Sequence, residues 1–116
     1  MAFDTSLVDR ARARRRRRLE RERQATLART FRFLDQHGAE LGISEAYVFG
    51  SVTRPGRFRE ESDVDIAVEG IDAESFFRAM SLLSSLLERS VDLVKLRECH
   101  FADRIKERGM RWTMRS

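Results

Sequence analysis

The longest pattern in this chain is helical and occupies its first third. Ser6 resembles a helix cap, with Asp9 three residues further on. No Gly or Pro interrupts the chain from there to Gln36, and Gly38 suits the position just after a helix end. Apolar residues recur at helical spacing only in the second half of this segment, at Leu19, Leu27, Phe31 and Leu34. We therefore predict one long helix whose C-terminal half packs on a core, whereas its N-terminal half projects or frays.

Short apolar runs after this helix predict β-strands. The first run stops abruptly at a Gly-Ser pair, the second alternates between acidic and apolar residues, and the third is rich in β-branched residues. The strands predicted from these runs cover Ala46–Phe49, Asp63–Val68 and Val91–Leu96, with a last edge strand over Met110–Met114. Between the first two strands, a turn at residues 54–56 and a polar loop at 57–61 connect the chain.

Two more helices separate the later strands. Asp72 is placed to cap a helix that runs to about Arg89. The predicted buried side of that helix consists of Phe76, Phe77, Met80, Leu83 and Leu87. A short helix over Phe101–Arg108 follows and ends at Gly109. This order of elements predicts a small α/β fold in which helices cover one β-sheet.

Length and charge divide the chain into a domain and a basic arm. Its 116 residues suit a single domain, which we expect to span residues 1–116 with 1–18 as a basic helical extension. Residues 1–30 hold ten Arg and four acidic residues, whereas residues 31–116 hold thirteen basic and fifteen acidic residues. We expect Arg10–Arg23 to contact nucleic acid or an acidic surface. The alternative is a solvated helix face, partly neutralised by Glu20 and Glu22.

The remaining composition excludes several classes of protein. The single cysteine, Cys99, cannot form a disulfide within the chain. No apolar run approaches the roughly 18–20 residues that span a membrane. The first ten residues, MAFDTSLVDR, lack the basic-then-apolar order of a signal peptide. We therefore expect no membrane association and a cytoplasmic location.

The alternating run places two carboxylates together. Asp63 and Asp65 lie on one face of the predicted strand, and the large apolar residues lie on the other. Two carboxylates on one strand face repel each other unless a divalent cation lies between them, so we predict a Mg²⁺ site. Asp92 lies in the middle of a run that we expect to be buried, where an unpaired carboxylate is costly. If its strand neighbours that of Asp65, the three carboxylates form one cluster.

A phosphate-binding turn precedes this cluster. Gly50-Ser51 follows a strand and offers backbone N–H groups and a hydroxyl, which suit phosphate oxygens. Arg54, three residues later, is placed to add a charge-assisted contact to a polyphosphate, although it is equally consistent with an ordinary surface arginine. A phosphate-binding turn beside three carboxylates is the set of groups that two-metal phosphoryl or nucleotidyl transfer requires.

These motifs resemble the signature of the polymerase-β-type nucleotidyltransferases: Gly50-Ser51, eleven intervening residues, Asp63-Val64-Asp65 and later Asp92. Because the chain is short, it is similar to the minimal nucleotidyltransferases, the antitoxins of HEPN/MNT toxin–antitoxin pairs. The resemblance covers residues 31–113. It implies a mixed β-sheet flanked by helices, two Mg²⁺ ions and ATP as substrate. It also implies transfer of AMP to a tyrosine of a partner HEPN ribonuclease toxin, which silences the toxin.

The resemblance also implies a role for each motif residue. Gly50 and Ser51 would bind the β- and γ-phosphates, and Asp63 and Asp65 would be metal ligands. Asp92 would be a metal ligand that also helps to deprotonate the attacking hydroxyl. Two alternatives stay open: a nucleotidyltransferase that acts on an RNA end or a small molecule, and a catalytically idle antitoxin that acts by binding alone.

Overall fold

The computed structural model describes residues 5–114. Its seven regular elements are α1 (Ser6–His37), β1 (Glu45–Phe49), β2 (Val64–Glu69), α2 (Ala73–Leu87), β3 (Val91–Lys95), α3 (Ala102–Arg108) and β4 (Met110–Thr113). Two 3₁₀ turns, Gly50–Thr53 and Leu96–Glu98, follow β1 and β3. Every predicted helix and strand is present, with ends that differ from the predicted ones by one or two residues.

The four strands form one mixed sheet in the order β3-β2-β1-β4. β1 pairs antiparallel with both β2 and β4, whereas β2 and β3 are parallel. β2 and β3 are parallel because α2 connects them as a crossover. It carries the chain from the C-terminal end of β2 back to the end of the sheet at which β2 begins. The prediction that β3 neighbours β2 is confirmed, and so is the mixed sheet flanked by helices.

The larger core lies on one face of the sheet. There, α1 and α2 cover the side chains of Val64, Ile66 and Val68, which are at most 1% exposed. These are the residues that the alternating pattern assigns to the apolar face. The opposite face is covered only in part, by a small cluster that includes Ala67 of β2 and Ile105 of α3. The charged end of this second face therefore stays open to solvent.

The first helix projects beyond the body of the protein. The described chain measures 65 × 27 × 23 Å, and the first buried side chain of α1 is that of Leu19. Thr5, not Ser6, occupies the N-cap position, and its side chain makes no capping hydrogen bond. At the other end Gly38 keeps right-handed helical angles. A Cβ atom there would collide with the ring of Trp112, so close packing is the reason for this glycine.

The second helix corrects one predicted core residue. Asp72 caps α2 as predicted, since its carboxylate accepts a 2.8 Å hydrogen bond from the Ser75 backbone N–H. Phe77, however, is 68% exposed, although we predicted it to be buried. Ala79, which was not predicted, lies on the buried stripe with the predicted Leu83 and Leu87, and Phe77 lies too far round the helix to join them.

Candidate active site

The turn after β1 is shaped around one carboxylate. Gly50 adopts a φ of 79°, a left-handed value that favours glycine. A Cβ atom on Gly50 would overlap Oδ2 of Asp65, so only glycine lets the turn approach this aspartate. Within the turn, the Thr53 hydroxyl donates a 2.7 Å hydrogen bond to the Gly50 carbonyl. Ser51, the second residue of the predicted phosphate-binding pair, lies half-buried at the same turn.

A buried arginine of α1 supports this turn from the core side. The guanidinium of Arg23 is held by the Glu20 carboxylate through bonds of 2.8 and 2.6 Å, and it donates a 3.1 Å bond to the Val52 carbonyl. The same pairing lowers the pKa of Glu20 to about 2 and raises that of Arg23. Arg23 is 8% exposed, so the prediction that it contacts an external partner is wrong.

The three predicted carboxylates lie at the N-terminal end of the parallel strand pair. Asp65 of β2 lies directly opposite Asp92 of β3 in the register, and Asp63 immediately precedes β2. Burial, together with the negative charges of Asp92 and Asp63, raises the pKa of Asp65 from 3.8 to about 6. Asp65 is half-buried, whereas Asp63 and Asp92 are exposed. The argument that Asp92 is a costly buried charge is therefore wrong, because the open second face leaves it in water.

These carboxylates match a divalent cation in their chemistry. In the part of the chain that the structure describes, no group of three or more His, Cys, Asp or Glu side chains is already arranged around a metal position. The pKa of Asp65 is nevertheless raised, first by burial and then by the negative charges of Asp92 and Asp63, with no cationic group among the causes. Carboxylate oxygens are the ligands that Mg²⁺ prefers. Asp63, Asp65 and Asp92 could therefore hold such an ion.

A second arginine orders the loop that leads into Asp63. The guanidinium of Arg89 donates hydrogen bonds of 2.9 to 3.1 Å to the carbonyls of Arg59, Glu60 and Ser62. It also stacks over the ring of Phe58, 4.2 Å from the ring centroid. The sequence pattern placed Arg89 only at the end of a helix. Its role is decided by the long-range packing of this loop.

A cleft of about 500 Å³ opens beside the Gly50 turn. Its lining residues are Phe49, Gly50, Thr53, Arg54, Phe101, Arg104, Ile105, Arg108 and Met110. It thus unites two predicted nucleotide-binding residues, Gly50 and Arg54. The predicted carboxylates do not line it, but Asp65 adjoins it through its contact with Gly50.

Two cleft arginines were missed in the sequence. Arg104 and Arg108 stand four residues apart on α3, so both project from one side of the helix. Together with Arg54 they bring three guanidinium groups to the cleft. The i, i+4 spacing was visible in the sequence, but nothing in the sequence indicated that this helix faces the Gly50 turn.

Comparison with known proteins identifies the family. Residues 32–111 match the family model described as Polymerase beta, Nucleotidyltransferase. Comparison with curated proteins gave no match. Within residues 5–114, none of the helices contains an apolar stretch of membrane-spanning length.

Solved structures with the same fold agree with this match. A minimal nucleotidyltransferase is 28% identical, with a TM-score of 0.57, over 82% of this chain and 93% of that one. A toxin–antitoxin structure with AMP-PNP is 26% identical, with a TM-score of 0.53, over 70% of this chain and 74% of that one. The toxin–antitoxin MntA–HepT structure has a TM-score of 0.54 at 24% identity, covers 78% of this chain and 73% of that one, and supports the fold alone. The chain belongs to the polymerase beta nucleotidyltransferase family.

Proposed function

We propose that this protein is an antitoxin that transfers AMP from ATP to a tyrosine of a partner HEPN ribonuclease toxin and so neutralises it. The observation that carries the proposal is the contact between the Gly50 turn and Asp65, whose neighbour across the parallel strands is Asp92. A phosphate-binding turn and a pair of carboxylates therefore share one small site. The 26%-identical toxin–antitoxin structure with AMP-PNP supports a nucleotide-binding antitoxin.

The turn and the cleft would bind the nucleotide. Backbone N–H groups at Gly50 and Ser51 suit the β- and γ-phosphates, because the missing side chain of Gly50 permits close approach. Arg54, Arg104 and Arg108 line the adjoining cleft and would balance the charge of the triphosphate. The cleft volume of about 500 Å³ is within the usual range for small-molecule sites.

The carboxylates would hold two Mg²⁺ ions, which neutralise phosphate charge and lower the pKa of a bound hydroxyl when present. In the transfer step, the tyrosine oxygen bonds to the α-phosphorus while the bond from that phosphorus to the pyrophosphate oxygen breaks. Pyrophosphate leaves with the bonding electron pair. The tyrosine proton passes to Asp92, which is exposed and open to an approaching acceptor. Asp65, which is packed against Gly50, would be a metal ligand held in a fixed position beside the turn.

The open second face favours a large acceptor. In residues 5–114, only a small apolar cluster covers this side of the sheet, and these residues leave Asp63 and Asp92 exposed. A protein acceptor would supply the missing wall and exclude water from the reacting groups. With ATP as donor, we place the reaction in the cytoplasm.

The test is Mg²⁺-dependent transfer of label from α-³²P-ATP to a co-expressed partner protein. We expect Asp63→Asn and Asp65→Asn to reduce transfer by at least about 100-fold, because each removes a charged ligand. Glu61→Gln is the matched control, since it removes an exposed carboxylate from the same loop and should leave transfer unchanged.

Two outcomes would replace the proposal. Labelling of tRNA or of a small alcohol, without labelling of any protein, would establish the RNA-end or small-molecule alternative. Full protection of cells from the toxin by the double variant Asp63→Asn/Asp65→Asn would establish an antitoxin that acts by binding alone.

A further inference from the structure

The projecting half of α1 carries an arginine stripe on its outward side. We define this stripe as Arg10, Arg14, Arg17 and Arg21, spaced i, i+4, i+7 and i+11 along the helix. At 100° per residue these four positions fall on one face, opposite the buried side chains of Leu19, Arg23 and Thr26. The stripe is about 16 Å long at 1.5 Å per residue, and all four side chains are exposed.

The acidic residues near the stripe are already engaged elsewhere. Glu20 binds the buried Arg23, and Glu22 lies 3.4 Å from Arg89. Glu60 lies 2.8 Å from Arg18, which is outside the stripe. Among the described residues, no carboxylate lies within 4.0 Å of a stripe guanidinium. Within residues 5–114, the charge of the stripe is therefore not balanced by a salt bridge.

This unbalanced charge is costly in the isolated chain. Like charges at i, i+4 destabilise a helix by roughly 0.2–0.5 kcal/mol per pair, and both Arg10/Arg14 and Arg17/Arg21 have this spacing. A polyanion would relieve the repulsion by neutralising several guanidinium groups together. The stripe also lies outside the family match, which covers residues 32–111, so the nucleotidyltransferase site does not account for it.

We infer that the arginine stripe binds the phosphate backbone of duplex DNA without sequence preference. An α-helix with its side chains is about 10–12 Å wide, which fits the roughly 12 Å major groove of B-DNA. Arg12 and Arg16 lie on the other side of the helix, where they line a pocket with Arg59, so the stripe is the face that meets the phosphates. The major groove of duplex RNA is too narrow for such a helix.

The composition of the arm argues against other nucleic acids. Residues 5–30 contain no aromatic side chain, so this described part of the arm offers no base-stacking platform for a single strand. Arginine supplies a planar pair of donors that suits phosphate oxygens. Binding through phosphates alone would be strongly dependent on salt and independent of base sequence.

The test measures binding of the full-length protein to a fluorescein-labelled 30-base-pair duplex by anisotropy. With four phosphate contacts, the slope of log Ka against log salt should be about −3.6, so affinity should fall roughly 100-fold between 50 and 200 mM salt. The quadruple variant Arg10→Gln/Arg14→Gln/Arg17→Gln/Arg21→Gln should lose most of this affinity and most of the slope. The corresponding quadruple Lys variant should keep the slope, because it keeps the charge.

A matched control distinguishes the contribution of the arginine stripe to DNA binding from that of the net charge of the protein. The control changes four arginines that are exposed on the body of the protein, Arg29, Arg32, Arg78 and Arg97, to Gln. It removes the same number of positive charges as the stripe variant. This control should bind duplex DNA within about threefold of the wild type. Equal losses in the two Gln variants would overturn the inference, as would tighter binding of poly-uridine or of poly-glutamate than of the duplex. Circular dichroism checks that every variant keeps its helix. None of these measurements uses ATP, so failure here is distinct from failure of the proposed transfer reaction.

Discussion

The guanidinium of Arg23 donates a 3.1 Å hydrogen bond to the carbonyl of Val52, which joins the first helix to the turn at Gly50–Thr53. The Val52 side chain is fully buried, so its carbonyl has little access to water on that side. A charged donor is worth more to such a carbonyl than a neutral one. The long helix therefore does more than cover the core, since it also sets the position of the turn that follows Gly50.

Replacement of Arg23 by methionine should loosen this turn. The change leaves the Val52 carbonyl without its donor, and we expect the free energy of unfolding to fall by about 2–3 kcal/mol. Arg23→Lys should recover only part of the loss, because one ammonium cannot reproduce the fork that bonds Glu20 and Val52 together. Urea unfolding measures the effect. Arg21→Met, on the exposed side of the same helix, should change stability by less than about 0.5 kcal/mol.

Gly50→Ala should disturb the site more than an equivalent change elsewhere. Gly50 and Gly56 have nearly the same backbone angle, with φ values of 79° and 81°. Alanine in this conformation costs about 1–2 kcal/mol at either position. Only at Gly50 would the new Cβ meet Asp65, whereas nothing lies within 4 Å of a Cβ on Gly56.

Comparison of the two glycine variants therefore distinguishes the effect of backbone strain from the effect of a steric clash with Asp65. We expect Gly50→Ala to abolish measurable transfer and to unfold at lower urea than Gly56→Ala. Gly56→Ala should retain nearly full transfer. Equal stability and equal activity in the two variants would show that the close contact between Asp65 and Gly50 affects neither stability nor transfer.

The stability of the metal-free protein should depend on the ionisation of Asp65. The folded pKa is raised from 3.8 to about 6, so the folded state holds this proton more tightly than the unfolded state does. The resulting stability is fully present below about pH 4 and is lost as the pH rises through 6. At about pH 8 in EDTA, Asp65→Asn should therefore raise the free energy of unfolding by about 1–2 kcal/mol, allowing for solvent screening.

This gain should shrink between pH 6 and pH 4 and vanish below pH 4. Thermal or urea unfolding across this range measures it. Mg²⁺ at about pH 8 should stabilise the wild type and have little effect on Asp65→Asn, because the ion would relieve the repulsion among the carboxylates. A gain that persists unchanged at pH 3.5 would contradict the assignment to Asp65.

The cleft arginines should contribute to nucleotide affinity. Arg104→Gln and Arg108→Gln each remove one guanidinium from the cleft, and we expect each to weaken ATP binding about tenfold. Lys106→Gln removes a charge from the same helix outside the cleft lining and serves as the control. Isothermal titration with a non-hydrolysable ATP analogue measures the three affinities. Equal affinity in all three variants would place the nucleotide elsewhere.

Periodic patterns in the sequence were sufficient to predict the helices and strands and to locate most of the nucleotidyltransferase motif. Alternation along β2 assigned Val64 and Ile66 to the core and Asp65 to the opposite face, because side chains in a strand point to alternate sides. Helical spacing identified where α1 begins to pack, at Leu19. The spacing of Gly50-Ser51, Asp63-Val64-Asp65 and Asp92 was enough to indicate the nucleotidyltransferase family.

Only the tertiary structure decided which charged residues support the site and which stay free. Arg23 looked like one more arginine of a basic arm, yet it is buried against Val52, while its neighbour Arg21 is exposed. Asp92 looked buried, yet the second face of the sheet leaves it in water. Local periodicity specifies the direction of a side chain from its own element. Whether another element covers that side chain depends on strand order and helix packing, which unite residues far apart in the chain.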